Sequence, residues 1–317
     1  MSDILFIKTS SLGDVIHHMP AVTEARRHRP DARLSWMVEE DYAPLVRLHP
    51  LVDEVIPVAS RRWRKALLDA GTWREVRAFT RALREKRYDV IVDTQGLFRS
   101  AVIARLARGE RHGYGRGSVR EKAASWFYGV HHRVDRGLHA VTRNRALTGL
   151  ALGYAPQGPV DFGLDRARLA TPGGERYAVL LHATARAEKE WPEAHWIGLG
   201  QELAARGLEV VVPWGSEEER KRSERIAAAV PRAHVPERRP LDDVARLIAG
   251  ASLVVGVDTG LMHLAAALQV PLVAVFVGTD PGLYGPQGAG PMRVLGQSGA
   301  TPDVAEVLTA AESLGAY

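Results

Sequence analysis

Cysteine occurs at none of the 317 positions. Its absence excludes disulfides, thiolate metal ligands and a cysteine nucleophile, and it suits a reducing cytoplasm. The N-terminus "MSDILFIKTS" lacks a basic region followed by a long apolar core, so no signal peptide is expected. A clean membrane span is missing too. The stretch "GLMHLAAALQVPLVAVFVG" (260–278) is interrupted by His263, Gln269 and Pro271. It reads as a short helix, a turn at "QVP" and a buried strand "LVAVFV". There is no low-complexity tract or short repeat, no P-loop and no complete dinucleotide fingerprint.

What is present is an ordinary globular composition, 46% hydrophobic and 25% charged, at a length sufficient for two domains. The charge is uneven. Residues 1–155 carry 27 Lys and Arg against 17 Asp and Glu, and residues 156–317 carry 15 against 20. The first half is therefore expected to face something anionic, nucleic acid and an anionic membrane surface being the usual candidates.

Short apolar runs alternate with amphipathic helical stretches. "ILFIKT", "RLSWMVE", "EVIPV" and "DVIVDTQ" in the first half read as buried strands, as do "YAVLLHA", "EVVVPWG", "LVVGVD" and "LVAVFVG" in the second. Continuous Val/Ile/Leu strands separated by helices imply parallel sheets covered on both faces. Each half is expected to be a doubly wound α/β domain, with the boundary near 152–177 and a ligand cleft between the two. The tail "TPDVAEVLTAAESLGAY" is expected to be a helix with Thr301 as its cap and Pro302 at its first position.

Four clusters carry the chemistry. "KTSSLGDVIHHMP" places Asp14 in a loop between the first strand and a helix, where it is either a helix cap or a base. "HATARAEKEWPEAHW" follows the first strand of the second half and offers Thr184, Arg186 and Lys189 ahead of a helix starting near Pro192, an arrangement that suits phosphate. The alternative there is a solvated loop, with Trp196 packing helix on sheet. "VVGVDTGLMHLAAAL" ends a buried strand at Asp258, Thr259 and Gly260 and puts His263 within the first turn of the helix that follows. Capping and a satisfied core histidine are the alternatives. "SRRWRKA" groups Arg61, Arg62, Arg64 and Lys65, suited to carboxylates or phosphates, around Trp63, which could enter a membrane interface; a second basic run spans 108–122. A solvated charged loop is the alternative for both.

Together with "DVIVDTQGLFRSA" and "VPWGSEEER", these blocks in their order and spacing resemble the lipopolysaccharide heptosyltransferases over nearly the whole chain, most closely the heptosyltransferase I subfamily. The resemblance implies a GT-B fold of two Rossmann-like domains. An acceptor domain would span 1–155 and be rejoined by the C-terminal helix 301–317, and an ADP-heptose domain would span 170–300. It implies inverting, metal-independent transfer of L-glycero-D-manno-heptose from ADP-heptose to Kdo of Kdo2-lipid A, with no cofactor and no nucleic acid. The enzyme would work as a peripheral protein on the cytoplasmic face of the inner membrane. Asp14 would be the base, and Lys189 would stabilise the leaving diphosphate. Donor contacts would come from Thr184, Ala185, Lys189, Glu217, Asp258, Thr259, Gly260, Leu261 and His263. Acceptor contacts would come from Ser10, Gly13, Arg61, Arg62, Arg64, Lys65, Gln95 and Arg120. Two positions depart from the family pattern: Ala185, where relatives often carry Thr, and Arg239, where some place an apolar residue against adenine. A heptosyltransferase II-type enzyme with a heptose acceptor and a non-catalytic nucleotide-sugar binding protein are the competing readings.

Overall fold

The computed structural model describes residues 2–171, 174–184 and 186–317. The chain divides into two compact units, Met1–Gly163 and Leu164–Tyr317. The first holds a six-stranded parallel sheet of β1 (Asp3–Ile7), β2 (Arg33–Glu39), β3 (Glu54–Val58), β4 (Arg87–Asp93), β5 (Arg108–Tyr114) and β6 (Val130–His132), in the order β3-β2-β1-β4-β5-β6. The second repeats the plan with β7 (Tyr177–Leu181), β8 (Glu209–Val211), β9 (Ala233–His234), β10 (Leu253–Val257), β11 (Leu272–Val275) and β12 (Met292–Leu295), in the order β12-β11-β10-β7-β8-β9. Each order reverses direction once, between β1 and β4 and between β7 and β10. In open parallel sheets the crevice at such a reversal, at the carboxyl ends of the strands, is where ligands bind.

The central strands owe their place to composition. β1, β4, β7, β10 and β11 are Val/Ile/Leu-rich and largely buried, because helices cover both faces of the sheet. β5 differs: "RGERHGY" reads as part of a basic run, yet it lies inside the sheet between β4 and β6. Ladder hydrogen bonds come from the backbone, and Gly113 lets Tyr128 lie against the strand, since a Cβ there would meet the ring at 2.3 Å. Only the remainder of the 108–122 run is loop, up to Lys122, which opens the 3₁₀ helix Lys122–Phe127.

Two readings of local structure need correction, the alternative of a loop for the basic cluster and the cap of the final helix. "SRRWRK" is not a loop but a helix, Ser60–Lys65. The final helix is Val304–Ser313, and its cap is Asp303, whose side chain accepts from the Glu306 N–H, rather than Thr301. Pro302 instead uses its carbonyl to receive the Trp191 indole N–H at 2.8 Å. That helix is part of the second unit. It packs on the helix Glu193–Ala205, and Val307, Ala310 and Ala311 enter the second unit's core with Trp191 and Trp196. Its apolar stripe is thereby buried where it stands. Among the described residues, no helix is long and apolar enough to cross a membrane.

Candidate active site

In the first unit, β1 runs out into Lys8, Thr9 and Ser10, all buried, before the short helix Leu12–Ile16. Ser11, not Asp14, is the cap residue. Asp14 stands in the first turn and accepts the Ser11 backbone N–H at 3.2 Å through Oδ2. Its side chain keeps a quarter of its surface exposed. Two cations flank it, Lys8 Nζ at 3.8 Å and Arg120 Nη1 at 3.9 Å. Lys8 also donates to the Thr94 carbonyl at 3.0 Å. Burial pushes its pKa below the usual lysine value, against the pull of the Asp14 and Asp93 carboxylates. Lys8 was not among the residues expected from sequence, although a lysine closing an apolar strand is an unusual sign.

Gln95, at the carboxyl end of β4, accepts the Thr9 and Ser10 N–H groups at 3.1 and 3.0 Å and so pins the loop that carries Asp14. Arg99 donates to the Ser10 hydroxyl at 3.2 Å. Gly13 lies within the short helix, its carbonyl accepting the His17 N–H at 2.8 Å. Asp14, Ser10, Gly13, Gln95 and Arg120 thus meet at the β1/β4 reversal.

The basic helix Ser60–Lys65 extends from the end of β3, two strands from β1. Arg62 is committed to Glu40 and Glu75 at 2.8–3.2 Å. Arg61 lies over the Tyr42 ring, 5.1 Å from its centroid. Trp63 does not project into an interface: it packs on Phe79, and its N–H goes to Glu75. Arg64 and Lys65 are exposed and, among the described residues, carry no partner.

In the second unit, Asp258 follows β10 and is the hub of its loops. Oδ2 accepts Lys189 Nζ at 2.6 Å and the Thr279 hydroxyl at 2.9 Å. Its backbone carbonyl accepts the Thr184 hydroxyl at 2.9 Å, and His263 Nε2 stands 4.0 Å from Oδ1. The Lys189–Asp258 pair is sheltered, with side chains 19% and 12% exposed. Lys189 ends the single turn Ala187–Lys189. Thr259 precedes the helix Gly260–Ala267, which contains Leu261 and His263. These residues gather at the β7/β10 reversal, and the orphan N–H groups of that helix favour an anion there.

Thr279 was missed in the sequence. Its signal was position alone, a hydroxyl in the loop after β11, the strand beside β10. Glu217 begins the helix Glu217–Ala228 after β8. Its side chain is exposed and pairs with Arg220 at 3.6 Å, while Glu219 folds back on the Gly215 and Ser216 N–H groups. Arg239 is exposed ahead of the helix Leu241–Gly250. Ala185 lies outside the described residues. Among the described residues, no group of three or more His, Asp or Glu side chains is arranged to hold a metal ion.

Comparison with known proteins identifies this arrangement. The model of glycosyltransferase family 9 (heptosyltransferase) matches residues 76–312. Lipopolysaccharide heptosyltransferase 1 of Escherichia coli K12 is 44% identical over 294 residues, covering 91% of this chain and 92% of its own. The E. coli heptosyltransferase WaaC solved with ADP superposes with a TM-score of 0.89 at 39% identity, covering 99% of both chains. The same enzyme with ADP-2-deoxy-2-fluoro heptose gives 0.86 at 40% identity, covering 98% of both.

Proposed function

The chain belongs to glycosyltransferase family 9, the heptosyltransferases, and on that footing we propose that it transfers L-glycero-D-manno-heptose from ADP-heptose to a Kdo hydroxyl of Kdo2-lipid A, with inversion and without a metal ion. The observation that carries this is Asp14, a partly exposed carboxylate held by the Ser11 N–H and flanked by Lys8 and Arg120. A carboxylate fixed at a strand-end crevice among cations suits an anionic acceptor whose hydroxyl must lose a proton.

The donor belongs to the second unit. Lys189, already within 2.6 Å of Asp258, would turn its charge to the diphosphate. Asp258 would then be free to accept heptose hydroxyls, with Thr184 and Thr279 holding the loops. As the acceptor oxygen bonds to the anomeric carbon, its proton passes to Asp14. The bond from that carbon to the diphosphate breaks, and ADP departs carrying the electron pair. Attack opposite the leaving group inverts the centre. Lys189 and the N–H groups opening the helix Gly260–Ala267 would offset the charge that grows on the diphosphate, which is where preorganised donors lower a barrier most.

The site of action we assign is the cytoplasmic face of the inner membrane, by peripheral contact. Exposed Arg64 and Lys65 lie beside exposed Leu67 and Leu68, a pairing of cations with apolar side chains that suits an anionic bilayer.

The decisive assay incubates the protein with ADP-heptose and Kdo2-lipid A and identifies the product by mass and by the configuration of the new linkage. A single added heptose of inverted configuration, formed equally well in EDTA, is expected. No product with this acceptor, but product with a heptosylated one, would reject the acceptor. Activity lost to EDTA and restored by magnesium would reject the metal-free step. Vesicles with and without anionic lipid test the membrane contact, and equal binding to both would reject it.

A further inference from the structure

Beyond the base and the helix Ser60–Lys65, the first unit has a recess of about 580 Å³ at the carboxyl ends of β5 and β6. It is lined by Gly115, Arg116 and Ser118 from the loop after β5 and by Arg133, Asp135 and Arg136 from the loop after β6. The three arginines are exposed, and among the described residues none has a hydrogen bond or ion pair. What sets them apart from other exposed arginines is that all three line one recess. The recess has one carboxylate, Asp135, and its Oδ1 is turned to its own loop, accepting the Gly137 N–H at 2.9 Å.

The walls are built rather than loose. The Ser118 hydroxyl accepts the Val134 N–H at 2.9 Å, tying the two loops together. The Ser118 carbonyl accepts Arg143 at 2.6 Å, and Arg143 lies over the Tyr114 ring. Two residues beyond Ser118 the same loop delivers Arg120 to Asp14. The recess therefore shares its loop with a cation that flanks Asp14. It lies two to three strands along the same sheet edge, roughly 10–14 Å at ordinary strand spacing. The helix Ser60–Lys65 lies on the opposite side of β1.

We propose that this recess is a second oxyanion subsite, taking a phosphate or carboxylate of the acceptor and so orienting it across Asp14 from the Arg64–Lys65 side. Three arginines around one recess, with no carboxylate among the described residues holding them, offer forked donors that match an oxyanion bidentately. The assignment of the acceptor rests on the function proposed above; the presence of an oxyanion site does not.

The test uses Arg133→Gln with Arg136→Gln, both on the surface, where the fold does not depend on them. Rates are measured against Kdo2-lipid A and against the same acceptor stripped of its lipid A phosphates. The expected result is an acceptor KM raised about tenfold or more, since lost charge-assisted hydrogen bonds act on affinity, with an unchanged KM for ADP-heptose. A defect that disappears with the stripped acceptor assigns the recess to phosphate; one that persists assigns it to a sugar carboxylate. An unchanged acceptor KM overturns the subsite.

Independently, inorganic pyrophosphate is titrated into the protein saturated with ADP. Binding to the parent that the double variant loses supports the recess even if Kdo2-lipid A proves not to be a substrate, in which case only the acceptor assignment falls. Equal pyrophosphate binding by parent and variant overturns the recess as an anion site.

Discussion

At the scale of single residues, Asp14 separates two roles that local sequence leaves together. Ser11 is the cap, and Asp14 supports it from the first turn by accepting one backbone N–H. An asparagine carbonyl can accept the same bond, so Asp14→Asn is expected to keep the fold and ADP-heptose binding. Without a proton acceptor, turnover should fall by roughly 10²–10⁴-fold. Near-normal turnover with an unchanged melting temperature would return Asp14 to a purely structural part. Two buried histidines contribute to the response to acid. Burial lowers the pKa of His49 in the first unit and His182 in the second to about 4. Between the ordinary histidine value near 6.5 and that figure, the unfolded chain binds more protons than the folded one, so stability falls as pH falls. Above the window nothing is lost, and below it the loss is complete, at most about 3 kcal/mol for each histidine. His18, also depressed by burial, acts in the same direction, whereas Asp93, raised by burial, opposes it. The readout is therefore the change in slope: denaturant midpoints from pH 7 to pH 4 should fall less steeply in His182→Gln than in the parent. Parallel slopes would contradict the assignment.

At the scale of elements, the proposed donor half-site depends on how closely two loops approach. A Cβ on Gly278, in the loop after β11, would lie 2.3 Å from the carbonyl oxygen of Glu188. That oxygen belongs to the turn Ala187–Lys189, and backbone cannot swing aside as a flexible side chain can. Gly278→Ala should displace the turn, cost about 1–3 kcal/mol of stability and raise the KM for ADP-heptose. Lys189→Ala should slow transfer as well as weaken donor binding, because its charge is needed most as ADP leaves. Gly174→Ala, where a Cβ meets nothing within 4 Å, is the control for the first. Equal behaviour of the two glycine variants would refute the packing argument. Contacts of this kind explain what sequence could reveal. The strands β1, β4, β7 and β10 were legible because burial on both faces demands apolar runs, and Asp14, Lys189 and Asp258 were legible because each follows such a run. β5 and β6 were not, since backbone pairing places no comparable demand on "RGERHGY" or "VHH". Thr279 acts through Asp258, and Lys8 is held by the Thr94 carbonyl far along the chain, and no local pattern announces those pairings. The helix Ser60–Lys65 hid for a related reason: its polar face is stabilised by Glu40 and Glu75 from outside it.

At the scale of the whole molecule, the charge imbalance supports the proposed division of the two substrates between the units. Residues 1–155, with 27 basic against 17 acidic side chains, hold Asp14, the exposed Arg64 and Lys65, and the recess of three unpaired arginines. The second unit has an excess of acidic residues, and the cation proposed to face the donor sits in one sheltered pair, Lys189–Asp258. Salt screens these unequally. Exposed charges lose most of their attraction once the Debye length shrinks toward ~3 Å at 1 M, while partly buried charges are screened much less. Raising the ionic strength from low to roughly 0.5 M should therefore raise the KM for Kdo2-lipid A several-fold and change the KM for ADP-heptose much less. Alanine at Arg64 and Lys65 together should flatten the acceptor's salt dependence by removing part of its electrostatic attraction, with the donor curve unaltered. Initial rates over a matrix of acceptor concentration and salt, with ADP-heptose saturating, give the first curve, and the reciprocal matrix gives the second. If both Michaelis constants rise together, the division of substrates between a basic and an acidic unit is wrong, since exposed cations in the first unit would then be serving the donor as well.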